Sequence, residues 1–541
     1  MKISSFYSCL GAATMLVVGG FGLSADPDMT PLYQLSGPGM SQFGRSLAEV
    51  GDVDGDGTGD VVVGLRYGSP GVVLYSGASG RALGTFLFPV QPWGFGWTVG
   101  RAGDVDGDGV GEVIIGSISE AADSTNTSLS TGRVYLFNPV TREVVLTLVP
   151  PDQQQRVRFG WAVSDAGDMN GDGVADVVVS TPYVDLEGVL EVGKAYVMSG
   201  ADGGMIREFV SPSPEYYGLF GSAVCGGVDL NGDGRGEVVV GAPAEESSMG
   251  IKDAGVVHIF DGATGERERV LESPNAEPSG RFGSVVAAVD DVDGDGVCDL
   301  VVGAPWEDPG QSPPCAGRAY VFSGASGALI HALWSPNEQE NGRFGSSVSR
   351  TDDIDGDGIG DVVVGAPWEQ GEGEPCEAGR AYVFSGATGA LVCALAPPNP
   401  TRVGHFGEAV VGLRREGGGT PIVLVGAPGE WPPRVYAFFG AVGAGPSPLG
   451  GELAMWVRGN PSKRGRVEVE VFLPERDEVE VRVYNALGRR VGTVWRGFMA
   501  EGWHSMVWER GAAGGRQVAG PYVVVARGRR VGRAAALAIV D

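Results

Sequence analysis

Six loops in this chain carry oxygen donors at positions 1, 3, 5 and 9, a spacing that suits a hard divalent cation. The first loop offers Asp52, Asp54, Asp56 and Asp60, and the second Asp104, Asp106, Asp108 and Glu112. The third and fourth place asparagine at position 3: Asp168, Asn170, Asp172 and Asp176, then Asp229, Asn231, Asp233 and Glu237. The fifth and sixth return to four acids, with Asp291, Asp293, Asp295 and Asp299, then Asp353, Asp355, Asp357 and Asp361. Calcium takes six to eight oxygens at about 2.3–2.6 Å. Four side chains, a backbone carbonyl at position 7 and water supply that number. Glycines such as Gly356 and Gly358 let the chain curl around an ion, and without a cation the carboxylates repel one another. The sets predict about six bound calcium ions.

The opening of each loop is similar to an EF-hand, but position 12 is not the bidentate glutamate that an EF-hand requires. It is Val63, Ile115, Val179, Val240, Val302 or Val364, each within a β-branched run. The loops therefore join strands, not helices. Each acid at position 1 follows a Phe-Gly step by nine residues, and the step itself recurs at Phe43, Phe95, Phe159, Phe220, Phe282, Phe344 and Phe406. The last three spacings are 62 residues each. In the seventh copy the donors are gone, and Arg415, Gly417, Gly419 and Val423 stand in their places.

The elements that position these loops are four strand signals per repeat. Strand A follows Phe-Gly, and strand B is the apolar run before Gly-Ala-Pro. Strand C has the type Gly379–Gly386, and strand D the type Ala390–Ala396. Four antiparallel strands repeated radially make a β-propeller. The seventh repeat lacks strand D, while the stretch from Pro31 to Gly39 precedes the first Phe-Gly as strand D precedes the others. The N-terminal strand, residues 31–36, is therefore expected to complete blade seven. Strand parity puts the metal loops and the C–D turns on one face, and the B–C and D–A loops on the other. The B–C loops hold Glu245, Glu246, Trp306, Glu307, Asp308, Trp368, Glu369 and Glu372. Function concentrates on such loops, and acid with tryptophan suits a sugar or a cationic partner.

The chain has 541 residues with a net charge of −28, which argues against nucleic acid as a partner. Residues 1–25 read as a secretory signal: Lys2, an apolar run from Leu10 to Leu23, then Ser24-Ala25. That run is too short for a comfortable membrane span, and no other apolar stretch could span a bilayer. A secreted or cell-surface protein of bacterial-type export is expected. After that signal five cysteines remain, of which Cys315 and Cys376 hold near-equivalent places in neighbouring repeats and form the one pair worth suggesting. No nucleophile motif or phosphate loop is visible. His258 and His331 fall in strands, where packing is their expected role.

The repeats of residues 31–440 resemble the FG-GAP family, the seven-bladed propeller of integrin α-subunits and of many bacterial exported proteins. The resemblance implies calcium in the A–B loops and recognition on the opposite face. Residues 441–451 read as a linker, so that 26–440 form the propeller and 452–541 a second domain. That segment reverses the charge, with a net of +5 against −33 for the rest. Val467, Val469, Val471 and Leu473, then Val479, Val481 and Val483, alternate as half-buried strands do. With the turn NALGRR it is similar to the FlgD-like immunoglobulin-type domain, a sorting module of type IX secretion. The fold class expected is all-β: a seven-bladed β-propeller followed by a small immunoglobulin-like β-sandwich. The function expected is an extracellular binding or adhesion module for a protein or glycan, not an enzyme. The alternatives are a surface lyase or hydrolase using the face opposite the metal loops, and a purely structural surface component.

Overall fold

The computed structural model describes residues 31–439, apart from 39–40, 66–70, 88–93, 121–130, 152–153, 155, 309, 311–312, 372 and 416–420, together with the strands between 454 and 540. The expected signal 1–25, the linker 441–451, Glu372, Gly417 and Gly419 lie outside the described residues. Among the described residues there is no helix. Residues 31–439 form seven four-stranded antiparallel sheets. In blade six, strand A is Ser347–Thr351, B is Asp361–Ala366, C is Arg380–Phe384 and D is Leu391–Leu395. After Asp361, strand B is apolar because both of its faces are covered, and every residue of it is buried. The A strands touch in sequence around a ring, and the last, Val410–Leu413, meets the first, Leu47–Glu49.

Tyr33–Ser36 supplies the fourth strand of the seventh sheet. It runs antiparallel to Arg434–Phe439, with Tyr33 opposite Ala437 and Ser36 opposite Arg434. Leu35 is buried in a core shared by Phe43, Val63, Val435 and Ala437. The Tyr33 hydroxyl donates to the Gly77 carbonyl at 2.6 Å and so reaches blade one.

The seven repeated phenylalanines are at most 3% exposed, and each lies at a seam between blades. Phe344 packs on Tyr382 and Phe384 of its own blade, with ring centroids 5.9 and 5.7 Å away, and on Val301, Ala319 and Val321 of blade five. The glycine after it, Gly345, has a φ of +87°, and a Cβ there would lie 2.2 Å from the Arg318 carbonyl oxygen. Gly365 in Gly-Ala-Pro has a similar constraint: its Cβ would lie 2.1 Å from the carbonyl oxygen of Gly407 in the next blade. Backbone meets backbone where the two motifs touch, which leaves room for glycine alone.

The B–C loops differ from expectation. Glu245, Glu307 and Glu369 turn inward, while Glu246 stays exposed. Glu307 accepts from the Tyr320 hydroxyl at 2.5 Å, Glu369 accepts from Tyr382, and Glu430 accepts from Tyr436 at 2.7 Å. All three are at most 2% exposed. Burial pushes the Glu307 and Glu369 carboxyls up to about 7 and raises Glu430 as well. The tryptophans are half-buried, and arginine and histidine side chains pack on their rings. The Arg343 guanidinium carbon stands 4.1 Å from the Trp306 ring and 4.0 Å from Trp368. Arg281 lies 5.7 Å from Trp306 on the same terms, and His405 stacks on Trp368 at 5.1 Å. These groups form a cation–π clasp across blades five, six and seven. Cys315 and Cys376 are both free, so the suggested pairing is not formed.

Toward the C-terminus two further sheets occur. Ala454–Arg458, Arg466–Leu473 and Gly502–Glu509 make one. Arg490–Met499, Asp477–Asn485, Gly520–Gly528 and Arg533–Val540 make the other, in that order. Val479, Val481 and Val483 are fully buried, with half-buried Glu480 and Arg482 between them.

Two outcomes are expected from this architecture. Leu35→Ala should destabilise the propeller by about 2–5 kcal/mol, and deleting residues 31–36 should leave the Arg434–Phe439 edge open and promote association. A deletion variant that stays monomeric with an unchanged Tm would refute ring closure as a source of stability. The second concerns pH. The folded state binds protons at Glu307 and Glu369 more tightly than the unfolded chain does, so these groups add stability below pH about 4.5 that is lost as pH rises to about 7. The double variant Glu307→Gln, Glu369→Gln should therefore show a flatter dependence of Tm on pH between those limits. Identical slopes would mean that the buried carboxyls titrate normally.

Candidate metal centres

Each loop is shaped first by its opening acid. In blade six the Asp353 carboxylate accepts from the backbone N–H of Gly356 at 2.6 Å, Asp357 at 3.2 Å and Gly358 at 2.8 Å. The chain turns tightly around it, and Gly358 takes a φ of +94°. The same pattern recurs at Asp52, Asp104, Asp168, Asp229 and Asp291. This curl brings carboxylate oxygens of several side chains together.

Four loops gather three or more acids whose oxygens lie within 4.8 Å of one another. They are Asp52, Asp54 and Asp60; Asp104, Asp106, Asp108 and Glu112; Asp291, Asp293 and Asp295; and Asp353, Asp355 and Asp357. That separation is about twice the 2.3–2.6 Å bond to calcium, so these donors fit around one hard cation. Asp56, Asp299 and Asp361 belong to the same loops but fall outside these tightest groups. Loops three and four have the same curl, but Asn replaces the acid at position 3. Asn170 donates to Asp172 at 2.8 Å, and Asn231 donates to Glu237 at 3.0 Å.

The position-9 acid is buried in every loop and ties the loop to the rest of its blade. Asp361 accepts from Ile354 N–H at 2.8 Å and from Gly386 N–H, in the C–D turn, at 3.1 Å. Asp60, Asp176 and Asp299 make the corresponding bonds to Gly77, Gly200 and Gly324. Burial raises these carboxyls: Asp60 to about 6, and Glu112, Glu237 and Asp361 to about 7, with Asp176 and Asp299 also raised. A bound cation favours the ionised form and reverses that trend.

Strand C supplies partners that the sequence reading missed. Asn138 donates to Asp106 at 2.9 Å and to Asp108 at 2.7 Å. Ser76 reaches Asp56 at 3.2 Å, and Ser323 and Ser385 reach Asp295 and Asp357 at 3.3 Å. The available signal was the Ser-Gly that ends strand C. In blade seven Arg415 replaces the opening acid, donating from its backbone to Asp352 at 3.1 Å and from Nε to Thr58 of loop one at 3.3 Å.

The C–D turns thus share a face with the acid loops. On the other face, B–C loops meet D–A loops: Asn275 donates to the Asp308 carbonyl and Asn337 to the Gln370 carbonyl, both at 3.1 Å.

Comparison with known proteins agrees with this geometry. The family model described as FG-GAP repeat matches residues 159–198, 220–260, 282–322 and 344–384, which are strands A to C of blades three to six. The chain is 30% identical over 219 residues to Integrin alpha-5 of Xenopus laevis, covering 38% of this chain and 20% of that protein. It is 27% identical over 251 residues to Integrin alpha-4 of Xenopus laevis, covering 44% and 22%. With Integrin alpha-PS5 of Drosophila melanogaster it shares 34% over 186 residues, covering 33% and 18%. The chain thus spans about a fifth of the length of these curated relatives. It carries FG-GAP repeats in a seven-bladed β-propeller, similar in sequence to integrin α chains.

Proposed function

We propose that the chain is an exported, calcium-stabilised binding module that presents the face of its B–C and D–A loops to an extracellular protein or glycan. The observation that carries the reading is the set of six acid loops, four of which gather their carboxylates within 4.8 Å. Likeness to integrin α chains supports it. Calcium is the ion of choice because every donor is a hard oxygen. Its work is structural: it holds each A–B loop in the curl that the opening acid begins, away from the recognition face. In this reading residues 452–541 are an immunoglobulin-like sandwich that serves as a sorting module, and the chain catalyses nothing.

Calcium-loaded protein should contain about six ions by mass spectrometry, with none in blade seven. Two or fewer would overturn the reading. Extracellular modules bind calcium near 10⁻⁴–10⁻³ M, and a hundredfold excess over Kd stabilises by about 2.7 kcal/mol per site. Millimolar calcium should therefore raise Tm and a chelator lower it. Asp353→Ala should cut the calcium-dependent rise and also lower the chelated Tm, because three backbone N–H groups lose their acceptor. A rise as large as the wild type's would remove Asp353 from the ligand set.

A further inference from the structure

Blade four departs from its neighbours at one buried position. Opposite the position-12 residue of strand B, strand C carries Tyr135, Tyr196, Tyr320 and Tyr382 in blades two, three, five and six. Blade four has His258, opposite Val240. Imidazole is smaller than phenol, and a cavity of about 860 Å³ lies beside it, lined by the D–A segment 213–216 and the B–C segment 244–248 among others.

His258 and Glu245 both line this cavity and are 3% and 2% exposed. His258 Nε2 and Glu245 Oε2 are 2.9 Å apart. Among the described residues, His258 Nδ1 and Glu245 Oε1 have no hydrogen-bond partner; a lone carboxylate oxygen recurs at Glu307, Glu369 and Glu430, so the imidazole nitrogen is what sets blade four apart. Buried polar atoms left so cost stability until a partner arrives. Around them the lining mixes signs, with Glu215, Glu246 and Asp253 beside Lys252 and Arg267. Tyr216, also in the lining, is 62% exposed. Lys252 and Arg267 count against a cationic ligand, and the five acids of the lining against an anionic one. A neutral polyol satisfies both signs at once. Its hydroxyls donate to carboxylate and imidazole, accept from ammonium and guanidinium, and its C–H face covers an exposed aromatic ring.

We infer that this cavity of blade four binds a neutral saccharide, with a sugar ring against Tyr216 and hydroxyls completing His258 and Glu245. The inference rests on the binding-module reading and names a ligand class for it. The full chain in millimolar calcium is applied to an array of neutral disaccharides (lactose, maltose, cellobiose, chitobiose) beside sialyllactose and a heparin disaccharide, and hits are titrated by calorimetry. A neutral sugar should bind, and Tyr216→Ala and Glu246→Gln should each weaken it by about tenfold. His258→Tyr, which installs the residue of blades two, three, five and six, should abolish binding while Tm and the calcium response are retained. Binding of the charged sugars alone, of no sugar, or of a neutral sugar with equal affinity by Tyr216→Ala and Glu246→Gln would overturn the inference. An intact calcium response alongside any of these results leaves the module reading standing. Loss of the calcium response in the wild type removes the module reading instead.

Discussion

The ring depends on the seam where the Phe-Gly step of one blade meets Gly-Ala-Pro of the blade before it. A phenylalanine ring buried at each seam contributes about 1.5–3 kcal/mol, and seven such rings fasten seven sheets. The glycines set the distance. At Gly365 and Gly407 two backbones approach more closely than any side chain permits. A single Cβ there would have to push two blades apart, and in a closed ring that displacement has nowhere to go. The A–B loops hang from these seams, so their register from blade to blade is inherited from the phenylalanines.

The acids serve two ends of the same loop. The opening carboxylate organises the curl through backbone N–H groups, and the position-9 carboxylate fastens the curl to the C–D turn. What lies between is a group of like charges in a confined space. In the function proposed above, a cation resolves that conflict in six blades. In the seventh, Arg415 brings a positive charge on the chain itself and spans from Asp352 to Thr58, across the join between the last blades and the first.

Much of this was legible in the sequence because it repeats. Phe-Gly at steady spacing, donors at fixed offsets and a β-branched run give blade, loop and strand without reference to distant contacts. The extra strand before Phe43 and the missing one after Phe439 pointed to each other. Trp306, Trp368, Glu307 and Glu369 were misread for a physical reason. Residue type names the chemistry available, not the neighbour that uses it. Arg343 lies 37 residues from Trp306 in the chain, and only the fold places its guanidinium between two indoles. Buried acids on tyrosine hydroxyls are equally silent, since a glutamate in a loop reads as solvated. The Ser-Gly at the end of strand C was visible but had no offset from the acids that would mark it as their partner. His258 lay in plain view as a strand histidine, yet its meaning rests on the tyrosines that hold its place elsewhere.

The pairing of Tyr33–Ser36 with Arg434–Phe439 also orders events in time. During synthesis the first strand leaves the ribosome about 400 residues ahead of its partner. At about 5–20 residues per second it spends roughly 20–80 s without an edge to join, while six sheets form and stack. The propeller is thus completed by a return to its beginning. The same geometry brings both ends of the domain into one sheet. Tension applied between residues 31 and 439 is borne by that short pairing, and the other six blades lie outside the line of force.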